Sequence, residues 1–134
     1  MNLITKNITL YLLILFINIV IVHGQNKETF SDAMSKFESE DYVNAFALFQ
    51  KILKNEPDNC HFNYLAGMCL FNQPYKKKEA ILYFENAVKS VSKSYKEEHY
   101  KETNAPIEAL FNYAITLQIN NRLAEAKEFY LKYR

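Results

Sequence analysis

The chain has 134 residues, of which 49% are hydrophobic and 23% charged, with two Gly, three Pro and no Trp. This length allows one domain of ordinary size, and so little Gly and Pro disfavours a turn-rich β-sandwich or barrel. Two Cys are too few for a disulfide scaffold or a four-thiolate zinc site. A net charge of +1 does not favour binding to nucleic acid or to anionic lipid.

Residues 1–24 have the organisation of a secretory signal. Lys6 precedes an apolar run at 10–22, which is interrupted by Asn18. The run has 13 residues, whereas a membrane-spanning helix needs about 20. Val22 and Gly24 place small residues at the positions that signal peptidase reads, so we predict cleavage before Gln25. The alternative is an uncleaved N-terminal anchor, which would be the chain's one contact with a membrane.

The remaining domain, residues 25–134, carries 15 basic and 15 acidic residues and is therefore neutral, because the first 24 residues remove Lys6 and no acid. Net charge does not attract a partner to such a domain. About 110 residues are enough for one modest hydrophobic core.

Three segments of this domain repeat a pattern of small and aromatic residues. In each segment a small residue is followed by a second one 12 or 13 positions later, and an aromatic ring comes four positions after that. The sets are Ala33, Ala45 and Phe49; Gly67, Ala80 and Phe84; and Ala114, Ala126 and Tyr130. Small residues on two antiparallel helices allow their backbones to approach closely, and the ring fills the space beside the contact. Each segment is therefore predicted to be a helical hairpin.

In chain order, apolar periodicity and capping residues predict six helices. They cover residues 27–39, 42–55, 59–72, 76–93, 105–119 and 122–134. Asp41 is the predicted N-cap of the second helix, and the pair Asp58-Asn59 caps the third. Asn104 is the predicted start of the fifth helix, with Glu108 in its first turn.

A polar insert separates the second and third hairpins. Ala45 and Ala80 are 35 residues apart, but Ala80 and Ala126 are 46 apart, which leaves about 12 additional residues at 95–106. Two interpretations are open. The fourth helix is longer and a solvated loop follows it, or the insert is a protruding contact loop that exposes Tyr95 and Tyr100.

The repeated pattern resembles the tetratricopeptide repeat, a helix–turn–helix unit of about 34 residues. The resemblance implies an all-α solenoid of three repeats in a right-handed superhelix, at about 26–59, 60–94 and 107–134. A further small residue of the family's pattern is present as Ala87 in the second repeat. Ile52 and Tyr133 stand at the matching positions of the first and third repeats.

The runs that begin at Asn63 and Asn104, with the insert between them, are similar to the N-terminal repeats of certain Bacteroidota envelope proteins. Those proteins continue into a β-propeller and an OmpA-like peptidoglycan-binding domain, and some serve gliding or type IX secretion. The resemblance implies a place in the periplasm or at the periplasmic face of the outer membrane. Because the sequence stops at Arg134 inside the last predicted helix, we expect a fragment of a longer protein or an open end that docks on another surface.

No residue pattern indicates catalysis. His61 and His99 are in no metal-ligand or nucleophile–base spacing with Cys60 or Cys69, and are expected to be a helix-start and a loop side chain. The two Cys lie nine residues apart on one predicted helix, too far for a disulfide, and are expected to fill small apolar spaces. There is no phosphate loop, HExxH or GxSxG motif. We therefore expect no enzyme activity, no cofactor or metal, and no small-molecule substrate.

The expected function is a non-enzymatic scaffold that binds another envelope protein. In tetratricopeptide arrays the first helix of each repeat lines a concave groove, and an aromatic, Met-rich groove suits an apolar partner segment. The resemblance places these residues in the groove: Phe30, Met34, Phe37, Tyr64, Met68, Phe71, Phe111, Ile115 and Gln118. The alternative is that they pack internally, and that the chain is a structural spacer without a ligand of its own.

The run 76–78 is the one dense group of basic residues. It is expected to face solvent at the start of a helix, where Glu79 and Glu85 offset its charge. The alternative is a weak contact for an acidic surface.

Overall fold

The protein is all-α apart from one pair of two-residue strands. The structure is a computed structural model that describes residues 3–134. In chain order its elements are α1 (Leu3–Glu38), α2 (Tyr42–Leu53), α3 (Cys60–Phe71), a short 3₁₀ helix (Lys77–Ala80), α4 (Ile81–Ala87), β1 (Val91–Ser92), β2 (Ala105–Pro106), α5 (Glu108–Ile119) and α6 (Leu123–Tyr133). Each helix packs mainly against the helices that precede and follow it in the chain. The core therefore runs as a continuous layer along the row of helices.

Helix α1 is longer than the helix predicted at 27–39, because it continues without a break through the apolar segment. Gly24 lies inside it and does not end it, and no Pro interrupts this part of the chain. The large apolar side chains from Ile8 to Val22 are exposed. Within the described residues, α1 is the one helix that is long and apolar enough to span a membrane. An N-terminal signal sequence has the same properties, so α1 is compatible with the predicted secretory segment.

The packed part of the described chain begins at Asn26, directly behind the predicted cleavage position. Asn26 is the first of the described side chains that is buried. Its amide Nδ2 donates a hydrogen bond to Glu56 Oε1 at 3.3 Å, and Asn55 Nδ2 donates to Asn26 Oδ1 at 3.0 Å. These bonds connect the start of the domain to the turn between α2 and α3.

The small residues of the repeated pattern all lie in the interior. All six are buried: Ala33, Gly67, Ala114, Ala45, Ala80 and Ala126. The second hairpin shows the reason most directly, since a Cβ atom on Gly67 would lie 2.8 Å from Cε1 of Phe84. The ring of Phe84 in α4 therefore sits against the bare backbone of α3, as the pattern predicts.

The turns between paired helices also repeat. Glu40 ends the turn between α1 and α2 with φ 60°, Tyr75 follows α3 with φ 66°, and Asn121 follows α5 with φ 62°. These three left-handed residues lie seven or eight positions after Ala33, Gly67 and Ala114. A left-handed residue reverses the chain sharply after a helix. All three connections therefore contain a left-handed residue, but those after α1 and α5 are three residues long and the one after α3 is longer.

Two predicted N-caps are confirmed. Asp41 accepts a hydrogen bond from the backbone N–H of Asn44, and Asn59 accepts one from Phe62 at 3.2 Å. Both satisfy amides that the first turn of a helix leaves without a partner.

The fourth and fifth helices differ from the prediction. The region 76–93 is a 3₁₀ turn followed by α4, which ends at Ala87, and α5 begins at Glu108 instead of near Asn104. A residue before Pro is biased toward extended backbone, so Ala105 joins a strand rather than a helix. Val91 and Ala105 pair in parallel, and Ala105 N–H donates to Ser90 O at 2.8 Å.

Replacing Gly67 with Ala tests the helix contact. Because Phe84 is fully buried and cannot swing away, we expect G67A to destabilise the protein by about 1–2 kcal/mol, despite the better helix propensity of Ala. Urea unfolding followed by circular dichroism measures this loss. In the F84L background the same change should cost much less, and an equal cost in both backgrounds would contradict the contact.

Candidate functional site

The polar insert folds back onto the helices, which corrects both interpretations of residues 95–106. Helix α4 is not lengthened, and Tyr95 and Tyr100 are half-buried against the core instead of exposed. A tyrosine ring has a large apolar area to bury while its hydroxyl keeps a polar partner. The two rings therefore hold the insert against the core of the domain.

Tyr95 attaches the insert to the start of α3. Its hydroxyl lies 2.9 Å from Nδ1 of His61, and its ring makes an edge contact with Tyr64 at a centroid distance of 6.0 Å. His61 is the second residue of α3 and is fully buried, and its Nε2 has no hydrogen-bond partner among the described residues. Burial lowers the pKa of His61 to about 4 and raises the pKa of Tyr95. Both side chains are therefore neutral at pH 7.

Tyr100 attaches the middle of the insert to α1 and α3. Its ring stacks on Phe62 at 6.0 Å and tilts against Phe30 at 5.8 Å between centroids. Its hydroxyl donates to Glu56 Oε1 at 3.4 Å, the same oxygen that accepts from Asn26. The insert, the start of the domain and the turn before α3 therefore meet at one carboxylate.

Glu102 closes the loop of the insert on itself. Its carboxylate accepts backbone hydrogen bonds from Asn104 at 2.9 Å, Thr103 at 3.0 Å and Lys96 at 3.3 Å. The bonds to Asn104, with the other backbone donors, hold the pKa of Glu102 below its usual range. The loop between the two tyrosines is thus fixed by an ionised side chain.

A groove with a volume of about 850 Å³ separates this loop from the last part of α1. Phe30 and Met34 lie at its floor, where both are buried in the core, and Tyr100 is half-buried beside them, while polar or charged side chains surround these three residues. The helix side contributes Lys27, Ser31, Ser35 and Glu38, and the insert contributes Glu98, His99 and Lys101. One wall therefore belongs to the repeated helices and the other to the insert.

The structure brings only part of the predicted groove together. Of the nine residues, Phe30 and Met34 line the 850 Å³ groove, and Gln118 lines a shallow cavity of about 230 Å³ beside α6. Tyr64 is buried between Phe84 and Tyr95. The insert covers Tyr64, which therefore does not line the groove.

The other predicted groove residues contact neighbouring helices. Phe37 packs against Tyr42 and Phe49, Phe71 packs against Phe84, and Phe111 contacts Tyr130 and Tyr133. Met68 accepts a hydrogen bond from Asn112, and Ile115 is half-buried. Their part in binding stays a prediction.

The two Cys and the basic run singled out in the sequence lie outside the groove lining. Cys60 and Cys69 are buried free thiols, as expected of small fillers, and burial raises the pKa of Cys69 to about 12. In the basic run, Lys76 pairs with Glu79 at 2.7 Å and Lys77 lies 5.0 Å from the Phe71 ring. Among residues 3–134, no group of three or more His, Cys, Asp or Glu could hold a metal ion.

The sequence did not predict the groove residues that the insert and the polar face of α1 contribute. Ser31, Ser35, Glu98 and Lys101 give no local signal, since each is an ordinary exposed residue on a helix or loop. The available signal was the presence of two tyrosines in an otherwise polar segment. Their inward orientation depends on contacts distant in sequence.

Comparisons with known proteins give no match: no family model, no curated protein and no solved structure matches the chain. The functional interpretation therefore depends on the geometry of the groove and insert.

The burial of His61 predicts a loss of stability in acid. The folded pKa of about 4 lies below the ordinary value of 6.5, so the unfolded chain binds the proton first, and stability is lost as the pH falls from 6.5 to 4. We expect this histidine alone to lower the free energy of unfolding by about 2 kcal/mol between pH 7 and pH 4.5.

Urea unfolding at the two pH values measures the effect, and H61Q should reduce the acid loss by that amount. The matched control is H99Q, because His99 is exposed, and this variant should retain the wild-type loss. An H61Q protein with an undiminished acid loss would contradict the buried neutral imidazole.

Proposed function

We propose that residues 25–134 form three helix–turn–helix repeats of the tetratricopeptide type. Three features of the molecule support this proposal: buried small residues at matched positions, a left-handed turn residue in each hairpin, and helices that pack chiefly on their chain neighbours. Such units bury their apolar faces by stacking on one another.

On this basis the protein is a non-enzymatic scaffold that binds a segment of another protein. The observation that carries the proposal is the 850 Å³ groove between α1 and the insert, with a small apolar floor and a polar rim. Concave sites of this kind commonly bind ligands. Its walls are firm, since Tyr95, Tyr100 and Glu102 fix the insert.

The place of action is the cell envelope, in the periplasm or at the periplasmic face of the outer membrane, and the partner is another envelope protein. Support comes from the exposed apolar part of α1 and from packing that starts at Asn26, as expected for a domain behind a secretory signal. The resemblance to Bacteroidota envelope repeats agrees with this location.

A second candidate is a structural spacer that packs on a neighbouring domain without binding a ligand of its own. The surface of α6 favours it, because Leu123 and Leu131 are exposed there. Exposed apolar residues on one helix face commonly mark an interface.

Filling the groove tests the scaffold proposal. The double variant S31Y/S35Y places two rings in the groove at exposed helix positions, so the core is unaffected. Peptides are first selected from a displayed random library on the wild-type protein. We expect their affinity to fall at least about tenfold in S31Y/S35Y, because the rings occupy the same space.

The control is D32Y, an equally bulky change on α1 at an exposed residue outside the groove lining, and it should bind as wild type does. Selected peptides that bind S31Y/S35Y unchanged would contradict the groove. A library that yields no binding peptide would favour the spacer.

A further inference from the structure

The charges on the rim of the groove are separated by sign along its length. Lys27 and Glu38 both line it and are 11 residues apart on α1, which corresponds to about 16 Å along a helix. Ser31 and Ser35 lie between them on the same face. The helix wall therefore has a basic end, an uncharged middle and an acidic end.

The insert continues the same separation because it runs antiparallel to α1. Its acidic part lies near the C-terminal end of α1. Glu97, which precedes Glu98, is close enough to Glu38 for the two carboxylates to repel each other. Further along, Tyr100 contacts Phe30 and bonds to the carboxylate that also binds Asn26. Lys101 follows Tyr100 and thus lies toward the end that carries Lys27.

The four rim charges are available to a ligand. The ion pairs within residues 3–134 join Lys36 to Asp41, Lys76 to Glu79 and Arg122 to Glu125. None of these pairs includes one of the four rim charges. Lys27, Lys101, Glu38 and Glu98 are exposed. Each can therefore gain an ion pair with a bound segment.

Two carboxylates, those of Glu56 and Glu102, lie behind the basic end and reduce its net charge, but neither lines the groove. Glu56 is half-buried behind Tyr100, and its two oxygens accept hydrogen bonds from Asn26, Tyr100 and Asn59. The charged side chains that line the groove at this end are those of Lys27 and Lys101.

We propose that the groove binds a peptide segment with an apolar centre and opposite charges at its two ends, acidic residues beside Lys27 and Lys101 and basic residues beside Glu38 and Glu98. The inference depends on the proposed scaffold function and specifies the partner's chemistry. An extended chain covers about 3.3 Å per residue, so about five apolar residues span the distance between the charged ends.

Three synthetic peptides test this pattern on the full 134-residue chain. All have the same five-residue apolar centre, acetylated and amidated termini, and two charged residues at each end. The first has Lys-Lys at one end and Glu-Glu at the other. The second has Lys-Lys at both ends, and the third has Glu-Glu at both ends. By fluorescence anisotropy in low salt, we expect the first to bind about tenfold more tightly than the others, and the preference to fade in high salt.

The variant E38K/E98K makes both ends of the groove basic and should transfer the preference to the peptide with four Glu. Its control is E28K/E128K, which changes net charge equally at exposed glutamates outside the groove lining and should keep the wild-type order. Circular dichroism and a melting curve show whether each variant folds.

Equal binding of the three peptides, or an unchanged preference in E38K/E98K, would overturn the charge pattern. If none of the three peptides binds while peptides selected from the random library still bind in the groove, the charge pattern is also overturned. The scaffold function is then retained. If the library yields no groove-dependent peptide, the scaffold function itself fails and the inference falls with it.

Discussion

Close packing of helices at small residues is the constraint on which the structure depends. Where Gly67 lacks a side chain, the ring of Phe84 comes within contact of the α3 backbone, and Ala45 and Ala80 are completely buried. Interiors have crystal-like density, so a larger residue at such a point displaces a helix instead of filling a space. Because the hairpins are joined in a row, the position of each helix fixes that of the next.

The insert adds a groove to this row of helices. It is fastened by Tyr95 on His61 and by Tyr100 on Phe30 and Phe62, and it forms the second wall of the groove. Helices alone would offer an open surface along α1 and α3. The chemistry of the groove is therefore set jointly by residues of the repeat and residues that interrupt it.

The sequence predicted well those features that depend on neighbouring residues. The caps at Asp41 and Asn59 and the burial of the small residues follow from local chemistry and periodicity. The early end of α4 and the extended conformation at Ala105 arise from a strand pair that joins distant segments. The inward turn of Tyr95 likewise depends on His61, 34 residues earlier. Helix periodicity carries no information about such contacts, and for that reason only two of the nine predicted groove residues line the main groove.

The packing constraint is tested most directly by one comparison on helix α2. Ala45 is completely buried and Ala47, two residues away, is exposed, so replacing each with Leu adds the same atoms to opposite faces of one helix. Measured by urea unfolding, A45L should lose about 1–3 kcal/mol, while A47L should stay within about 0.5 kcal/mol of wild type. Equal stability of the two variants would contradict close helix packing at the small residues.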